Sequence, residues 1–123
     1  DMNIHNINVT DSVVGAINTG NVKTIDVSID HLKQSNNEDV AEALRQMTEA
    51  ILGEPSLNDS GKNEMIDQIT YLATQAQIGE QDRQKGTIKA VFGNLKEAVG
   101  AFHTLNDVWG LVKPVLSAFF GVG

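Results

Sequence analysis

The sequence predicts an α+β fold: a short N-terminal β segment of three strands over residues 1–30, followed by a bundle of four helices over residues 36–123. Three observations predict it. Ile25, Val27 and Ile29 alternate with Thr24, Asp26, Ser28 and Asp30, and Ile7 and Val9 alternate with Asn6, Asn8 and Thr10. Period two with β-branched residues marks a strand with one buried and one wet face. Beyond residue 36 the apolar residues instead recur at spacings of three and four, as on one face of a helix. A chain of 123 residues, 41% hydrophobic and 20% charged, has the composition of one compact domain.

The strands fall near 3–9, 13–18 and 21–29, broken at Thr10-Asp11-Ser12 and Asn18-Thr19-Gly20-Asn21, where Gly and Asn tolerate turns. The first helix starts at Asn36 or Asn37, with Glu38 and Asp39 complementing the amide-rich end of its dipole. Val40, Leu44, Met47 and Ile51 form its stripe, and Gly53 and Pro55 stop it. The second follows Asn58-Asp59, carries Met65, Ile69, Leu72 and Ala76, and ends at Gly79. The third covers about 83–103, with Ile88, Leu95 and Phe102 repeating every seven residues. The last runs from Asn106-Asp107 to Gly121, and Pro114 inside it cannot donate to the Gly110 carbonyl, which predicts a kink. Gly86, Gly93 and Gly100 are also spaced by seven. Each lowers helix stability by about 1 kcal/mol relative to Ala, so either another helix approaches closely there or the helix simply tolerates them.

Three short strands hold too little apolar surface to stand alone. Either the protein's own helices cover them, or copies of the segment close a prism or β-helix around a threefold axis. The five asparagines in the first 21 residues suit stacked β coils and favour the second cover. The expected contact residues are Ile17, Val22, Ile25, Val27 and Ile29, and the expected assembly is a homotrimer. Trp109, Phe119 and Phe120 are the expected anchors of a core or partner-contact helix.

Chemistry is sparse. With no cysteine, disulfides, thiolate metal sites and thiol nucleophiles are excluded. A net charge of −7 argues against nucleic acid. Gly15 to Gly20 has the glycine spacing of a phosphate loop, but Asn21-Val22 stand where Lys and Ser or Thr are required. His5, His31 and His103 lie in different elements without a helical metal-ligand pair. No nucleophile elbow surrounds any serine. Catalytic, cofactor and metal sites are therefore expected to be absent, and the chain is expected not to be an enzyme. The acids are uneven, with nine acids and three bases over residues 1–58 against seven acids and six bases over 59–123. No signal peptide is apparent, Met2 reads as the natural start, and a cytoplasmic location is expected.

One further pattern crosses these elements. Val14-Gly15-Ala16-Ile17-Asn18-Thr19-Gly20, Ile25-Asp26-Val27-Ser28-Ile29, Ala41-Glu42-Ala43-Leu44 and Met47-Thr48-Glu49-Ala50-Ile51 stand in that order. With Trp109, Pro114 and Phe119-Phe120-Gly121 they resemble a group of uncharacterised bacterial proteins, over most of residues 13–121. The resemblance implies an accessory module, alone or C-terminal to signalling or defence domains, and carries over no functional residue. The longer spacing from Trp109 to Pro114 departs from the group's pattern. The functional expectation is a homo-oligomerisation or scaffold module with a possible protein partner. The alternative is membrane docking through the amphipathic helix 107–121, which is too short to span a bilayer and has only Lys113 for electrostatic support.

Overall fold

Asn18 starts the first helix. Its side-chain oxygen accepts the Asn21 amide at 3.2 Å, which satisfies one of the unpaired donors of a helix start. From there Val22, Ile25, Ile29 and Leu32 follow at spacings of three and four, and all four are fully buried. The computed structural model describes residues 5–8 and 16–122. Its helices are α1 (Thr19–Gln34), α2 (Glu38–Gly53), α3 (Asp59–Ala76), α4 (Lys85–Val99) and α5 (His103–Phe120), with a 3-10 turn at Glu80–Asp82 between α3 and α4.

The α+β expectation is therefore corrected: among the described residues the fold is all helical, with no β segment. Residues 21–29, predicted as a strand, belong to α1. Residues 5–8 and 16–18, from the other two predicted strands, are bends and irregular backbone, and the rest of those strands lies outside the described residues. The physical reason is a coincidence of periods. Ile25 and Ile29 satisfy both a two-residue and a 3.6-residue repeat, and Val27 separates the two readings. A strand puts Val27 on the face of Ile25 and Ile29, whereas a helix turns it about 200° away. It is 60% exposed.

The correction also changes what covers the N-terminal residues. α1 packs on α2 and α3 of its own chain. Of the residues assigned to a subunit contact, Ile17, Val22, Ile25 and Ile29 are 4%, 0%, 0% and 0% exposed within the chain's own core, and Val27 faces outward. The trimeric β-prism loses its basis. Trp109 and Phe120 are buried in the same core, and Phe119 packs against it half-buried.

α2 is the central helix, with its apolar stripe Val40, Leu44, Met47 and Ile51 facing α1, α3 and α5. Asn58 caps α3 by accepting the Gly61 amide at 2.8 Å. Lys62, itself buried, donates Nζ to the Leu52 carbonyl at 2.8 Å and so satisfies an orphan acceptor at the end of α2. α5 begins at His103, earlier than the Asn106-Asp107 pair predicts, because the Gly100–Phe102 turn ends with Phe102 N–H on the Val99 carbonyl at 2.9 Å.

The chain ahead of α1 is pinned by Asp26, Glu49 and Asn63. The buried Asp26 carboxylate accepts the amides of His5 and Asn6 at 3.1 and 2.6 Å, while Ile7 enters the core at 4% exposure. Asn63 of α3 pairs its side-chain amide with the backbone around Ile17, accepting Asn18 N–H and donating to the Ala16 carbonyl, both at 2.9 Å. Among the described residues, no helix is long and apolar enough to cross a membrane.

Two substitutions separate helix from strand in α1. Ile25→Ala is expected to lower stability by about 3 kcal/mol, as emptying a buried aliphatic site does, and Val27→Ala by no more than about 0.5 kcal/mol. Urea denaturation checks this, and equal losses at the two positions would contradict the helical register.

Candidate functional site

The C-terminal hairpin builds a groove that combines aromatic walls with cations that make no ion pair among the described residues. On α4 the buried stripe is Ile88, Phe92, Leu95 and Val99, and on α5 it is Leu105, Trp109, Val112, Leu116 and Phe120. Phe92 meets Trp109 edge to face at 5.5 Å between ring centres and Phe120 at 6.3 Å. Such pairs each contribute about 1 kcal/mol beyond the area they bury. At the far end Arg83 stacks its guanidinium 4.4 Å over the Phe119 ring and donates Nε to the Ile78 and Gln75 carbonyls at 2.9 and 3.2 Å. It thereby ties the end of α3 to the end of α5.

Beside these stripes run two matching sets: Lys89, Gly93 and Lys96 on α4, and Asn106, Gly110 and Lys113 on α5. Both are spaced by four and then three residues, which keeps each set on one helix face. Together with Phe92, Trp109 and Val122 they line a half-open groove of about 430 Å³. That volume lies within the range of ligand sites.

Two features describe the groove. A Cβ added at Gly93 or Gly110 would meet nothing within 4 Å, so both glycines border open space. Gly86 is equally open, and Gly100 would meet only carbonyls of its own preceding turn. No neighbouring helix approaches the glycine stripe closely. The second feature is charge. Among the described residues, Lys89, Lys96 and Lys113 make no ion pair, and no acid lines the groove with them.

Of the other lysines and arginines, all but the exposed Lys23 of α1 are engaged. A wider depression at the 3-10 turn is lined by Glu80, Gln81, Arg83 and Lys85. There Arg83 is occupied by carbonyls, and Lys85 Nζ lies 3.9 Å from Glu80. On α2, Arg45 bridges Glu42 and Glu49, the latter at 2.8 Å, and Glu49 also accepts the Asn8 amide at 2.8 Å. The hydrogen bond from Arg45 holds Glu42 down from 4.5 to about 2, against the opposing effect of partial burial, and the same pairing pushes Arg45 upward. Among the described residues, no group of three or more His, Asp or Glu side chains could hold a metal ion.

The residues singled out from sequence end up in different places. Trp109 and Phe120 form the groove's aromatic floor and its support, and Phe119 stacks under Arg83. Ile17, Val22, Ile25 and Ile29 form core, and Val27 stands alone on the surface. Sequence reasoning passes over the lysines. The signal available was a repeated four-then-three pattern, with glycine in the middle and lysine at the end, in two successive helices joined by a short turn. Comparison with family models, curated proteins and solved structures gives no match for the chain.

Two outcomes follow for stability. Gly93→Ala and Gly110→Ala are each expected to raise it by about 0.5–1 kcal/mol, since helix propensity improves and nothing is displaced; a loss in urea denaturation would contradict the open space beside them. Glu42, with its folded value depressed, contributes stability above pH 4.5 that is lost as pH falls toward 2. Its side chain is 47% exposed, so solvent screening limits the pair to less than about 1 kcal/mol. Glu42→Gln should therefore lower stability by that order at neutral pH, and its gap from wild type should close between pH 4.5 and 2.

Proposed function

We propose that this chain is a docking module whose working surface is the α4–α5 groove, and that the groove takes a negatively charged, partly apolar ligand. The observation that carries the reading is the pair Gly93 and Gly110, which leave space between Lys89, Lys96 and Lys113 above an aromatic floor. Glycine inside a helix lowers stability by about 1 kcal/mol. The usual structural reasons for keeping it, positive φ and close backbone approach, apply to neither position. A side chain at either would fill the groove, so an open groove is the benefit that offsets the loss.

The charge pattern supports the same reading. On a chain of net charge −7, three cations with no ion-pair partner among the described residues stand around one apolar depression. Desolvating them is favourable only when a ligand brings the opposite charge. Such a role matches the accessory module that the resemblance implies.

The probe is 1-anilinonaphthalene-8-sulfonate, an aromatic anion. It is expected to bind the folded protein at a single site and to quench Trp109, the only tryptophan of the chain. The double variant Gly93→Leu with Gly110→Leu should keep its helical circular dichroism and lose about tenfold or more in affinity, while Gly86→Leu, outside the groove, keeps it. No uptake by folded wild type, or undiminished uptake by the double variant, overturns the proposal.

A further inference from the structure

Resting on that reading, we infer that the occupant is an acidic amphipathic helix of a protein partner, presenting two carboxylates two turns apart with apolar side chains between them. Lys89 and Lys96 are seven residues apart on α4, which places them about 10 Å apart along its axis. Positions i and i+7 on a second helix repeat at the same interval and on one face, so two acids at that spacing meet both lysines at once. Lys113 lines the opposite wall.

Between the cations lies the apolar part of the site. Gly93 sits four residues after Lys89 and three before Lys96, with Gly110 on the facing wall and Phe92 and Trp109 beneath. Leucines at i+3 and i+4 of the incoming helix fall over that floor. The absent side chains of the two glycines let its backbone come close, as ridge-into-groove packing requires. α4 packs against α3 and α5 alone among the helices with which it shares substantial contact, so a third helix in the groove covers its open side.

Other anions fit less well. An acyl chain has one charged end, so it would leave cations beside its methylenes and much of its tail in water in a half-open groove. A continuous polyanion such as nucleic acid meets the repulsion of a chain of net charge −7 beyond these three lysines.

The test uses the full chain and a synthetic helical peptide with two glutamates seven residues apart flanking two leucines. The peptide is expected to displace the naphthalene sulfonate, to quench Trp109, and to weaken with added salt. Lys89→Glu with Lys96→Glu, both exposed positions, should weaken it about tenfold or more, and a peptide with lysines in place of the glutamates should recover binding to that variant. Equal binding of a peptide with glutamines in place of the glutamates overturns the inference. So does displacement of the probe by dodecanoate but not by the peptide, a result that leaves the docking module standing with a lipid as its ligand. Failure of the probe itself to bind removes the module and its partner together.

Discussion

The edge-to-face contact of Phe92 with Trp109 and Phe120 is what seats α4 on the rest of the protein. α5 has the broad face of α2 to lie against, whereas α4 has chiefly α5 and part of α3. The aromatic line therefore fixes where α4 sits, and Arg83 fixes the end of α5 by stacking on Phe119 and binding carbonyls at and just beyond the end of α3. A helix held along one line keeps its other faces free. Lys89, Gly93 and Lys96 lie on such a face, and the groove exists because nothing among the described residues covers them.

Stability and openness are divided between the two parts of the fold. α1, α2 and α3 bury full aliphatic stripes, and polar pins at Asp26 and Asn63 hold the preceding chain to them. The mid-helix glycines that lower helix stability lie in the hairpin: Gly93 in α4 and Gly110 in α5. The helix start at Gly20 and Gly61 serves capping turns instead, with the added Cβ crowded by Asn18 or Leu57. A well-packed base of this kind tolerates a hairpin with open space and uncompensated charge.

How much was legible follows from which residues had one reading. α2, α3 and α5 were readable because Val40-Leu44-Met47-Ile51, Met65-Ile69-Leu72 and Leu105-Trp109-Val112-Leu116 fit only a helical repeat, and Asn58 caps as expected. α1 was not, because β-branched Ile25, Val27 and Ile29 alternate perfectly over a short window. Two residues at its ends held the correction: Leu32, which continues the helical stripe past the predicted strand, and Asn18, which looked like a turn and is a cap. The groove was illegible for another reason. Its cations come from two helices, and only their packing brings Lys113 beside Lys89 and Lys96. Sequence alone reads Gly93 either as room for an approaching helix or as a tolerated residue, and neither reading points to empty space.

Residue-resolved nuclear magnetic resonance of the folded chain, with naphthalene sulfonate added stepwise, gives the sharpest check on the groove. The amides of Lys89, Gly93, Lys96, Asn106, Gly110 and Lys113 and the indole of Trp109 should move together to saturation, while α1 and α2 stay in place. Shifts scattered over the bundle, or the Gly93 and Gly110 amides unmoved, would contradict a preformed site between α4 and α5.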